Sequence, residues 1–356
     1  MTMQRSIGIG VLAAGLAVLP LCAWAADETH GPNGEKMTPV DALALSDADI
    51  AKVKEGHYTA ALLWHTSADF TNAVTAGAKD EFAKMGITVV AVTDAAFDAA
   101  KQKNDVETVM AKKPSIILTL PLDPVASAAS FKPAVDAGVK LVFLSNVPKD
   151  YVHGKDFVGV VTDDLFQMGK HAADALAKAI GGKGKVGYIF HDATYYVTNQ
   201  RDQAFKTTIE KDYPDIKIVA EQGIADPARA EELAQAMLTK NPDLDGIYVT
   251  WAEPAEGVLS VLRNAGNKKT KIVTLDISEP IALDMVKGGN VAAIVADKTY
   301  TLGVAMADAA ADGLLGKPVP IYSDVPVITI TKANVAEGYQ EALHRAPPQS
   351  IIDASK

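Results

Sequence analysis

The sequence predicts an α/β protein of two lobes, each a doubly wound parallel sheet, joined by a three-crossover hinge. Its length of 356 residues leaves room for about two domains. From residue 58 onward, short apolar runs alternate with longer segments of helical spacing, the pattern of repeated βαβ units. The runs number more than one open parallel sheet ordinarily carries, so two sheets are expected.

Taken in order, residues 26–56 read as a polar lead-in. Within it, Ser46-Asp47-Ala48-Asp49 before Ile50 and Val53 marks a short capped helix. Strands are expected at 59–64, 88–92, 115–118, 140–144, 157–161, 185–190, 217–221, 246–250, 271–275, 291–295 and 326–330. Helices are expected at 68–85, 97–111, 124–137, 164–180, 198–211, 227–240, 254–265, 280–287 and 299–315. Several ends are signalled chemically. Gly86, Gly138 and Gly266 stand just past a last helical turn, and Asp123-Pro124, Asp226-Pro227 and Glu279-Pro280 place Pro at a helix start behind an acid. The division falls near 161–163, with further passages between lobes at about 296–298 and 323–326. The expected domains are a first lobe of 57–161 with 298–325, a second of 162–297 with 326–344, and a polar tail of 345–356.

The first 25 residues read as an export signal: Arg5 with no acid, an apolar run over 7–21, and Ala23-Trp24-Ala25 as the site of cleavage after Ala25. The run is short for a membrane-spanning helix. Lipidation at Cys22 is disfavoured by Leu21, which stands where a small residue is wanted. Cleavage removes the only Cys, so a periplasmic chain without thiols is expected. The match Gly8-Ile9-Gly10-Val11-Leu12-Ala13 to a dinucleotide fingerprint follows no strand and leaves with this segment.

Lys and Arg total 34 against 44 Asp and Glu, a net charge of -10 that repels phosphate backbones and makes nucleic acid a poor partner. None of the seven His falls in a metal-ligand spacing, and no nucleophile elbow or phosphate loop is present, so no metal, cofactor or enzymatic activity is expected. Open parallel sheets place ligand groups at the carboxyl ends of their strands. Trp64, His65, Asp69 and Phe70 stand after the first run, Ser145 and Asn146 after the fourth, and His191, Tyr195 and Arg201 after the sixth. Trp251 and Glu253, Asp276, and Asp297 with Lys298 follow the later ones. Aromatics make only 6% of the chain, yet both tryptophans beyond the export signal are in this set. A flat apolar ring beside carboxylates and an arginine suits a sugar, whose C–H face stacks while its hydroxyls bond.

The chain resembles periplasmic sugar-binding proteins of the ribose-binding type, the receptors of ABC importers, over about residues 57–335. The likeness rests on the joint order of Gly77-Ala78-Lys79-Asp80-Glu81-Phe82, Gln200-Arg201-Asp202-Gln203-Ala204-Phe205, Met237-Leu238-Thr239-Lys240-Asn241-Pro242-Asp243, Val273-Thr274-Leu275-Asp276 and Ala292-Ala293-Ile294-Val295-Ala296-Asp297. It implies the type I periplasmic binding protein fold, Phe70 stacking on a sugar ring, Arg201 forking onto two hydroxyls, Asp276 accepting hydroxyl hydrogens, a permease as partner, and a monomer. The chain departs from the ribose pattern at Ser145-Asn146, where that family carries Asp-Arg, at Trp251-Ala252 in place of Asn-Asp, and at Asp297 in place of Gln. These departures favour a neutral monosaccharide other than ribose or a sugar alcohol, with an amino sugar as a minority alternative. A periplasmic sensor component and a carboxylate-pair glycoside hydrolase using Asp276 and Asp297 are the competing functions.

Overall fold

The computed structural model describes residues 28–193 and 195–356, so the export signal with Cys22 lies outside the described residues. In chain order the elements are β1 (Thr38–Pro39), α1 (Asp47–Glu55), β2 (Thr59–Trp64), α2 (Asp69–Lys84), β3 (Thr88–Asp94), α3 (Ala99–Met110), β4 (Ile116–Thr119), α4 (Pro124–Asp136), β5 (Lys140–Leu144) and β6 (Gly159–Asp163). Next come α5 (Leu165–Ala179), β7 (Gly184–His191), α6 (Tyr196–Asp212), β8 (Ile216–Ile224), α7 (Ala230–Lys240), β9 (Gly246–Val249), α8 (Ala252–Asn264), β10 (Lys271–Leu275), α9 (Glu279–Val286) and β11 (Val291–Asp297). The chain finishes with α10 (Thr299–Leu314), β12 (Tyr322–Val325), β13 (Val327–Ile330), α11 (Val335–Leu343) and α12 (Gln349–Ala354).

The strands form two sheets, ordered β1-β12-β6-β5-β4-β2-β3 and β13-β11-β10-β9-β7-β8. All pairings are parallel except β11 with β13. Helices cover both faces, so central strands such as β4 and β9 are apolar and buried along their whole length rather than alternating. The chain passes between the sheets after Asp163, after Asp297 and at Pro326. Three passages between two lobes make a hinge about which a cleft can close.

Helix starts follow their caps. Asp123 accepts from the amides of Val125 and Ala126, and Ser46 and Asp49 complete a reciprocal capping box. Asp226-Pro227 instead opens a single 3₁₀ turn over Pro227–Arg229 before α7 begins. Helix α9 begins one residue earlier than expected, with Pro280 inside its first turn, and Ser278 at its N-cap position makes no side-chain capping bond, its hydroxyl donating instead to Glu256.

Two readings of the chain ends are corrected. The lead-in is part of the first lobe: β1 adds to its sheet, and Leu43 and Val53 are buried in its core. Residues 28–31 meanwhile lie on the second lobe, where the Thr29 hydroxyl donates to Asp164 Oδ1 at 2.5 Å and His30 N donates to Gln200 Oε1 at 3.2 Å. The tail is not a polar extension either. It contains α12, whose Ile351 is fully buried in the second-lobe core and whose Ser350 bonds Glu279 of α9.

Candidate functional site

A cavity of about 280 Å³ lies where the carboxyl ends of the two sheets face each other. It is built one strand at a time: His65 after β2, Phe97 after β3, Leu120 and Leu122 after β4, Ser145 and Asn146 after β5, Asp163 ending β6, His191 ending β7, Ala225 after β8, Trp251 after β9, Asp276 after β10 and Asp297 ending β11. Phe70 joins them from the first turn of α2, and Tyr195, Thr198 and Arg201 from the start of α6.

Two of the polar residues sit on unusual backbone. Ser145 and Asp276 have φ of 59° and 63°, a left-handed conformation that costs a side-chain-bearing residue on the order of 1 kcal/mol or more. Each follows directly on its strand, and its amide is held by the neighbouring strand, Ser145 N to Val161 O at 2.9 Å and Asp276 N to Val295 O at 3.0 Å. The kink turns both side chains out of the sheet and into the cavity.

Arg201 is 7% exposed, and its Nη2 donates to the Thr250 carbonyl at 2.8 Å while Nε has no partner. Beneath it Asp202 accepts from the Tyr248 hydroxyl at 2.6 Å, the Thr250 hydroxyl at 3.0 Å and the His191 amide at 2.8 Å, tying α6 to the ends of β7 and β9. His191 is fixed in turn by Thr198 at 2.9 Å and meets Trp251 edge to face with centroids 4.9 Å apart. On the opposite wall the His65 ring touches Phe70 and Phe97 edgewise, at 6.3 and 5.3 Å. The cavity therefore has aromatic walls and a polar floor.

That floor is acidic. Burial raises the Asp163 carboxyl to about 8, assisted by the charge of Asp276, and raises Asp276 and Asp297 as well. The charges of Asp163 and Asp276 add to burial in raising Asp297. Burial takes Glu253 up to about 7 and holds the His65 and His191 imidazoles down near 4, so both rings are neutral. Asn146 Oδ1, Asp163 Oδ1, Asp276 Oδ1 and both oxygens of Asp297 are buried without a partner in the protein. Buried polar atoms are ordinarily paired, so a concentration of unpaired ones around a cavity marks groups reserved for a ligand.

Of the expected site residues, His65, Phe70, Ser145, Asn146, Arg201, Trp251, Asp276 and Asp297 share this cavity, and Trp64 and Asp69 do not. Trp64 points the other way. It is 2% exposed in the first-lobe core, with its indole N–H donating to the Thr75 hydroxyl at 2.7 Å, because the last residue of a strand covered on both faces can pack against either layer. Asp69 pairs with Arg345 at 2.8 Å on the surface side of α2. Lys298 is likewise drawn off, to Glu341 at 2.8 Å, which leaves Arg201 as the only Lys or Arg on the cavity wall among the described residues. Asp163 and Phe97 were missed. Asp163 has a legible signal, since it ends an apolar strand in the manner of Asp297.

A family model described as a periplasmic binding protein domain matches residues 60–318. The chain belongs to that family. Among curated periplasmic binding proteins, it is 26% identical over 274 residues to the ribose import binding protein of Salmonella typhimurium, covering 76% of this chain and 90% of that one. It is 25% identical over 276 residues to the xylitol-binding protein of Mycolicibacterium smegmatis, covering 75% and 77%. Among solved structures it is similar to an ABC transporter solute-binding protein from Agrobacterium vitis bound with α-D-tagatopyranose, at 25% identity and a TM-score of 0.72, covering 81% and 98%. The family is one of solute-binding receptors rather than enzymes, which accords with a cavity walled by aromatic rings and floored by unpaired acceptors.

Proposed function

We propose that this protein is the extracytoplasmic receptor of an ABC importer, that it takes a monosaccharide or sugar alcohol into the cleft between its lobes, and that it presents the closed form to a membrane permease. One observation carries the reading: the unpaired oxygens of Asn146, Asp276 and Asp297 and the unpaired Nε of Arg201 all border one cavity whose walls are Trp251, Phe70 and Tyr195. Hydroxyl groups donate to the carboxylates and accept from the guanidinium, while the C–H faces of a ring or extended polyol cover the aromatics. The sugar- and polyol-binding relatives support the same reading. With four carboxyl groups around one guanidinium, an acidic or phosphorylated sugar is poorly received.

A thermal-shift panel of pentoses, hexoses, deoxy sugars and polyols tests this, because a ligand at 100 times its Kd stabilises the folded state by about 2.7 kcal/mol. Arg201→Ala is expected to abolish the response while leaving the ligand-free protein folded. A response undiminished in that variant removes Arg201 from the site, and a panel without any response removes the sugar reading.

A further inference from the structure

We propose that the ligand carries a protonated amine among its hydroxyls, as an amino sugar, amino polyol or aminocyclitol does, and that the ammonium group sits against Asp163 and Asp297 at the floor of the cavity. This rests on the sugar-receptor reading above and narrows its ligand class. The sequence favoured a neutral ligand from its departures from the ribose pattern, with Lys298 standing beside Arg201 among the cleft residues and Asp163 not among them. In the structure Asp163 is a wall of the cavity and Lys298 is engaged by Glu341.

The geometry divides the charges unevenly. Asp163 and Asp297 each end a strand at a crossing between lobes, and they are 3% and 1% exposed. Asp163 Oδ1 and both oxygens of Asp297 have no hydrogen-bond partner. Arg201, entering from α6, is the only guanidinium or ammonium on the wall among the described residues, and it stands against Asp276 as well as these two. With one guanidinium among three buried carboxyl groups, the ligand-free cleft is left holding protons on carboxyls, and a cationic ligand can take their place. A hydroxyl brings one donor and no charge, whereas an ammonium group brings three donors and one positive charge. A bare metal ion is a poor substitute, because the Arg201 guanidinium borders the same space, and no group of three or more His, Cys, Asp or Glu among the described residues is arranged to hold one. Trp251 and Tyr195, on the wall of the same cavity, offer further cation-attracting ring faces.

The test is calorimetry on the export-processed chain with matched pairs that differ in one group: D-glucosamine against D-glucose, D-galactosamine against D-galactose, 1-amino-1-deoxy-D-sorbitol against D-sorbitol, and an inositol monoamine against myo-inositol. At least one amine is expected to bind about tenfold or more tightly than its hydroxyl partner, and N-acetylation of that amine is expected to remove the advantage. Asp163→Asn and Asp297→Asn keep the side-chain shape and are each expected to weaken the amine by about tenfold more than they weaken its neutral partner. Equal or tighter binding by the neutral members throughout overturns the amine proposal and leaves the sugar reading standing. Silence across this panel overturns the amine proposal, and silence across the pentoses and deoxy sugars as well overturns both. Because the matched pairs are compared on the unaltered protein, the outcome does not depend on whether either variant folds.

Discussion

Gly169 lies on α5 where it meets α6, and a Cβ added there would stand 2.1 Å from the Arg201 carbonyl oxygen, 2.7 Å from Phe205 N and 2.8 Å from Ala204 Cβ. Restoring even a 3.0 Å separation from that carbonyl moves the two helices apart by on the order of 1 Å. Overpacking of this kind costs about 1–3 kcal/mol, and at about 2–4 °C per kcal/mol it lowers Tm by roughly 2–12 °C. Arg201 rides on the displaced turn, so its hydrogen bonds to a ligand, worth about 1.5–3 kcal/mol as charged bonds, are lost in part, and affinity falls by about tenfold or more. Gly77 is the control. Its added Cβ would meet the Tyr300 carbonyl oxygen at 2.0 Å between α2 and α10, the same clash in the other lobe and away from the cavity wall. Differential scanning fluorimetry and calorimetry on Gly169→Ala and Gly77→Ala are expected to show similar losses in Tm but a loss of affinity only in the first. An unchanged Tm in Gly169→Ala, or equal affinity losses in the two variants, refutes the coupling of α5 packing to Arg201.

The two tryptophans should separate in the same way. Trp64→Phe gives up the bond to Thr75 and destabilises the first lobe by about 1 kcal/mol without altering affinity, whereas Trp251→Ala removes a wall of the cavity and weakens binding; a Trp64 variant with impaired affinity and normal stability contradicts the placement of both. The ligand-free protein should lose stability as the pH rises from 6.5 to 8. Asp163, held near 8, and Glu253, held near 7, keep protons in the fold that the unfolded chain has already released, so their contribution is complete at acid pH and is lost as the pH climbs through those values. His65 and His191, held near 4, work in the opposite sense, but only below their ordinary value of 6.5. Melting curves that stay flat or rise across this interval, or an Asp163→Asn variant with an undiminished slope, overturn the assignment.

Much of this architecture is legible in the sequence because burial of parallel strands on both faces leaves unbroken apolar runs, and Asp123, Pro124 and Ser46 mark helix starts by simple capping chemistry. The short strands β1 and β12 escape that reading. β1 has two residues, and β12 includes Ser323 and Asp324, so neither offers an apolar run; only pairing within the first-lobe sheet, β1 on β12 and β12 on β6, makes them strands. The site was legible wherever a polar residue follows an apolar strand, as at Asn146, Asp276 and Asp297. Trp64 misled because a strand-end aromatic carries no mark of the layer it faces, and only the position of Thr75 on α2 decides it. Asp163 has the same strand-then-acid form as Asp297, but its place at a lobe boundary concealed that it also borders the cavity.

The N-terminal segment that lies on one lobe at Thr29 and His30 and joins the sheet of the other at Thr38 is a fourth passage beside the hinge. Only seven residues separate His30 from Thr38, and the hairpin bond from Gly31 N to Glu35 O at 2.8 Å shortens their reach. Such a strap ties the two lobes together once more at one edge of the hinge, so any opening at that edge has to stretch or release it.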